Sequence, residues 1–84
     1  MKNNIIAKIN DLLVKQPNTI YAIRIVYNIY RDNINIFFEH YKIGEATISQ
    51  QIAQLEGSEK GNMVDLAKKI TQATQLRVEL VAFN

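Results

Sequence analysis

Between Leu76 and Phe83 the chain changes period. Leu76, Val78, Leu80 and Ala82 alternate with Arg77, Glu79, Val81 and Phe83, the two-residue repeat that puts successive side chains on opposite faces of a β-strand. A lone strand cannot satisfy its own backbone hydrogen bonds, and the other apolar runs of this chain read at helical spacing, so the partner has to come from elsewhere. The same strand of a second copy, antiparallel about a two-fold axis, is the simplest source. The expectation is a homodimer with an intermolecular ribbon over 76–83, its interface formed by Leu76, Arg77, Val78, Glu79, Leu80, Val81 and Phe83. Arg77 facing Glu79 across the ribbon would add a few tenths of a kcal/mol up to ~1. The alternative is an extended tail packed on its own domain.

Upstream of the strand the spacing predicts helices. Ile5, Ile6, Ile9, Leu12 and Leu13 recur as an amphipathic stripe that starts at Asn3 or Asn4 and ends before Pro17. Asn18 or Thr19 caps a second helix with Ile20, Ile23, Tyr27 and Tyr30 on one side, widened by Val26 and Ile29. A third, shorter helix carries Ile34, Phe37, Phe38 and Tyr41. Lys42 to Thr47 reads as a tight turn around Gly44. Ile48, Ile52 and Leu55, at i, i+4 and i+7, form the narrow seam of a helix over Ala46–Glu56, stopped by Gly57 and a loop through Gly61. Asn62 caps a last helix with Met63, Leu66, Ala67, Ile70 and Ala73 inward. Much of the apolar content is isoleucine, so helix formation has to come from patterning and burial more than from propensity.

Eighty-four residues make one domain with a marginal core unless a partner adds to it. A hydrophobic fraction of 48% fits a folded chain, and the absence of cysteine excludes disulfides and thiolate metal sites. No run approaches ~18 apolar residues, and the N-terminus lacks a signal-peptide core; the expectation is a cytoplasmic protein that does not engage a membrane. The net charge of +2 permits nucleic-acid binding without arguing for it, because the ten basic residues are scattered.

The outer surface expected for the Ala46–Glu56 helix carries Ser49, Gln50, Gln51 and Gln54 in place of the usual Lys and Glu. A glutamine amide donates and accepts together, which matches adenine in the major groove. From Ile25 to Phe83 the order of elements resembles the Xre/Cro-type helix-turn-helix family, closest to HipB-like and HigA-like antitoxins that end in a dimerising strand. The residues that carry the likeness are Ile43, Ala46-Thr47-Ile48-Ser49 and the run from Leu66 to Phe83. SQQIAQLE is also similar to the recognition helix of LysR-type regulators. The resemblance implies a mainly α fold: a five-helix helix-turn-helix domain over 1–84, with an extra N-terminal helix in 1–16, the helix-turn-helix in 33–57 and a dimerisation strand in 76–83. It further implies base contacts from Glu45, Ala46, Ser49, Gln50, Gln51 and Gln54, and phosphate contacts from Lys42, Thr47, Lys60 and Arg31.

Catalysis has little to work with. His40 is the single histidine, so a zinc or iron site lacks ligands; neighbouring His40 and Glu39 on a helix would diverge by about 100°. No glycine pattern cradles phosphate. No cofactor and no enzymatic activity are expected. Two functions follow: a homodimeric, sequence-specific repressor of double-stranded DNA, such as a phage regulator or an antitoxin with a cognate toxin, or a protein-interaction module or small phage-type inhibitor that keeps the helix-turn-helix scaffold without binding DNA. The repressor is the primary expectation; Glu45, which repels phosphate, Phe37-Phe38 and the modest charge count toward the second.

Overall fold

Isoleucine decides the architecture. In the computed structural model, which describes residues 2–83, the two stretches expected to form the second and third helices are ten-residue strands, β1 (Thr19–Asn28) and β2 (Asn33–Lys42). Tyr21, Ile23, Ile25 and Tyr27 alternate with Ala22, Arg24 and Val26, as Ile34, Ile36 and Phe38 alternate with Asn35, Phe37 and Glu39. β-Branched and aromatic side chains pack well on a pleated surface and lose rotamer freedom in a helix. Across the antiparallel ladder Ile23 faces Phe38, Ile25 faces Ile36 and Tyr27 faces Ile34, which gathers the apolar set on one side. Asn28 makes the connecting turn: its Oδ1 accepts from the backbone N–H of Tyr30 at 3.0 Å and of Arg31 at 3.3 Å.

The expected recognition helix is also a strand, β3 (Ile48–Glu56), antiparallel to β2. Its register slips between Ile36 and Phe37, so that Ile36 faces Ala53 while Phe37 faces Gln51. Ile52 is the extra residue of a β-bulge. That insertion explains the misleading spacing. Ile52 and Leu55 are both buried, yet they stand three apart, because the bulge resets the parity of a two-residue repeat. The predicted turn over 42–47 is present, with Gly44 at φ +90 and the Glu45 N–H donating to the Lys42 carbonyl at 2.9 Å. It joins two strands, so residues 33–57 form a β-hairpin and not a helix-turn-helix.

Two helices lie where the apolar stripes placed them. α1 (Lys2–Leu12) buries Ile5 and Ile9. A 3-10 turn (Gly57–Asn62) leads into α2 (Met63–Thr74), which buries Met63, Leu66, Ile70 and Thr74. Asn62 precedes α2 without a side-chain cap; its Nδ2 donates to Glu59 Oε1 instead. Both helices cover the same side of the sheet and share one core with Ile23, Ile25, Ile34 and Ile36.

β4 (Arg77–Val81) is a strand as expected, but its partner is β1 of the same chain, in a parallel ladder that sets Ile23 beside Val78 and Ile25 beside Leu80. A left-handed Gln75, φ 61, turns the chain out of α2, while Thr74 Oγ1 accepts from the Leu76 N–H. The need that led to an intermolecular ribbon is thus met within the chain. The sheet runs β3-β2-β1-β4, and the fold is α+β, two helices on one side of a mixed four-stranded sheet, in place of a five-helix domain.

Candidate functional site

One side of the sheet carries no helix, and strand parity decides what it displays. Ile20, Ala22, Arg24 and Val26 of β1 stand with Asn33, Asn35, Phe37, Glu39 and Tyr41 of β2, Ser49, Gln51, Gln54 and Glu56 of β3, and Arg77, Glu79 and Val81 of β4. A polar row crosses all four strands. Ser49 Oγ donates to Glu39 Oε2 at 3.2 Å, and Arg24 Nε lies 3.5 Å from Glu39 and 3.7 Å from Glu79. Beside it, Gln51 and Gln54 each donate an amide hydrogen to Asn35 Oδ1 at 3.0 Å. Phe37 sits between the two groups. The charges on this side are Arg24 and Arg77 against Glu39, Glu56 and Glu79, a poor match to a phosphate backbone.

The residues expected to touch bases are distributed accordingly. Ser49, Gln51 and Gln54 share the uncovered side, Gln50 falls on the helix side, and Glu45 and Ala46 belong to the hairpin turn; all six are exposed. The phosphate set divides between opposite ends of the sheet. Lys42 and Thr47 flank the β2–β3 turn, whereas Arg31 lies in the β1–β2 turn, about 30 Å away along a ten-residue strand. Lys60 is at the Arg31 end, its Nζ 4.5 Å above the Tyr27 ring. In the strand expected at the dimer interface, Leu76 is buried and Val78 and Leu80 pack on the core; beyond it Phe83 rests 6.1 Å from the Tyr27 ring, and Arg77 and Glu79 are exposed.

Arg24, Asn35 and Glu39 were not among the expected contact residues, and Phe37 entered only as a bulky ring that favours a protein partner. Part of the signal was present, since Arg24 between Ile23 and Ile25, and Asn35 between Ile34 and Ile36, alternate as in a strand.

On the helix side, at the end of β1 and β2 nearest Lys42, a cleft of about 360 Å³ opens beyond the last turn of α1. Leu12, Val14, Tyr21, Phe38, His40 and Ile48 line it. The Tyr21 hydroxyl donates to the Val14 carbonyl at 2.8 Å and accepts from the Gln16 N–H at 3.0 Å; it pins the segment after α1 as the wall of the cleft. His40 stacks at 5.8 Å from Phe38 and 6.1 Å from Tyr21. No group of three or more potential metal-ligating side chains occurs among the described residues.

The free edge of β3 borders this cleft. From Ile48 to Leu55 it bears no charge and no proline, the two devices that most often protect an exposed edge. One half is closed: Lys8 of α1 reaches over and donates from Nζ to the Ile52 carbonyl at 3.0 Å, which satisfies the group that the bulge frees. Ile48 to Gln51 stay exposed, Ile48 at 59%.

At the far end, Tyr27, Asp32, Gly57 and Lys60 form a knot. Tyr27 Oη donates to Asp32 Oδ1 at 2.6 Å, and the Gly57 N–H donates to the Asp32 carbonyl at 2.9 Å. The hydrogen bond to the Asp32 carboxylate, with smaller contributions from burial and from the carboxylate's charge, raises the Tyr27 phenol above its ordinary value.

Comparison with protein-family models, with curated proteins and with solved structures finds no match for this chain. No helix among the described residues is long and apolar enough to cross a membrane.

Proposed function

We propose that this protein is a protein-interaction module that receives an extended segment of its partner along the free edge of β3. The observation that carries this is the uncharged, proline-free run Ile48–Gln51, left open at a sheet edge and bordered by a cleft that mixes apolar walls with polar groups such as Gln16, Thr19 and Lys42. Strand addition draws affinity from main-chain hydrogen bonds and specificity from pockets that take alternate side chains. Ile48 and its neighbours supply the first, and the Leu12, Val14, Tyr21 and Phe38 cleft supplies the second. The Lys8 contact at Ile52 limits how far the added strand runs.

Repression of double-stranded DNA has weaker support. Residues 46–56 offer no helix to place in a groove, and the basic residues expected on phosphates do not converge.

The test is selection of displayed random peptides on the purified protein, followed by hydrogen exchange with the best binder. The expected binder alternates β-branched or aromatic residues with polar ones, slows exchange in 48–51, and weakens at least about tenfold with Gln50→Lys or Ile48→Lys. Binders that protect only other segments, or tight duplex binding with a steep salt dependence, would overturn the proposal.

A further inference from the structure

The five residues of β4 form the second edge of the sheet, with Arg77 and Glu79 exposed, and a groove of about 380 Å³ runs along that edge between the strand and α2. Val64, Ala67 and Thr71 of α2 and Val78 and Leu80 of β4 form its apolar walls, with Val64 54% exposed. Charge on the strand then selects the occupant. Side chains of an antiparallel two-fold pair stay on their proper faces only when the symmetry axis passes beside a residue, because a one-residue slip moves every side chain to the other face. Centring the axis on Glu79 opposes two glutamates. Centring it on Leu80 sets Arg77 opposite Phe83, outside the strand, and Glu79 opposite Val81, so that no opposite charges meet. Centring it on Val78 sets each Arg77 opposite the other copy's Glu79, on the uncovered side, and sets Val78 against Val78 and Leu76 against Leu80 on the helix side.

We infer that β4 pairs with β4 of a second copy in the register centred on Val78, extending the four-stranded sheet into a continuous eight-stranded one with the two α2 helices side by side. The inference rests on the interaction-module reading only in that both use free edges; β3 lies at the opposite edge, so peptide capture there stands or falls separately. The dimer differs from a ribbon of otherwise unpaired tails, because each β4 keeps its parallel ladder to β1.

Charge exchange tests the register. Arg77→Glu alone opposes glutamates at both crossings, and Glu79→Arg alone opposes arginines, whereas a mixed pair of the two variants restores opposite charges at both. Sedimentation equilibrium of the wild type should move from the 9.7 kDa monomer to twice that mass as concentration rises. Each variant alone should dimerise at least about tenfold more weakly, and an equimolar mixture should recover the wild-type behaviour. Circular dichroism checks that each variant is folded, and Val64→Lys, which charges the groove without touching the strand, provides a second route to the monomer. A wild type that stays monomeric to about 1 mM, a dimer indifferent to both charge changes and to Val64→Lys, or a mixture no better than its parents would overturn the inference.

Discussion

Gly57 shows how one side chain's absence holds two elements together. A Cβ at this position would fall on the carboxylate and carbonyl of Asp32, the residue that ties the β1–β2 turn to the end of β3 through the Gly57 N–H. Gly57→Ala should therefore cost about 1–3 kcal/mol in urea unfolding, the usual magnitude of overpacking; an unchanged midpoint would mean that the knot is not formed. The Tyr27 phenol, held protonated by its bond to Asp32, should titrate above the ordinary tyrosine value. Because its folded value is raised, the contribution to stability is fully present below the ordinary tyrosine value of about 10 and is lost as pH climbs through the raised one. Absorbance near the tyrosinate band should show a component above the ordinary tyrosine value that moves down in Asp32→Asn.

At the scale of elements, what could be read depended on where the repeat was clean. α1, α2 and β4 carry unbroken periodicity and were legible: Ile5 with Ile9, Met63 with Leu66 and Ile70, Val78 with Leu80. β1 and β2 carry nearly continuous apolar runs. There, three- and four-residue spacings can be found alongside the two-residue one, and the β-branched content was the sounder guide. β3 could not be read from spacing alone, because a bulge depends on what the strand pairs with and leaves no mark in its own residues. Gln50, Gln51 and Gln54, the glutamines assigned to base contact, are exposed, and Gln51 and Gln54 bond Asn35 on the neighbouring strand. If β1 and β2 form the centre of the core, Ile36→Ala, at a fully buried position, should destabilise the fold by about 2–5 kcal/mol. A solvent-facing change such as Gln54→Ala should cost less than about 0.5 kcal/mol.

The whole molecule is a sheet with one side sheltered, one side polar and two edges incompletely closed. Its small core is one physical reason for a partner to matter, since a domain of this size buries limited apolar area. Strand addition at either edge extends the hydrogen-bonded ladder without rearranging that core. The central claim, that Ile48–Glu56 is an edge strand and not a helix, is tested most directly by residue-resolved amide hydrogen exchange of the free protein at low concentration. The account expects an uneven pattern in 48–56, with amides bonded to β2 slow and those facing the open edge fast, the alternation broken at Ile52. Uniform slow exchange through 50–56, as a helix gives once its first turn is passed, would contradict it.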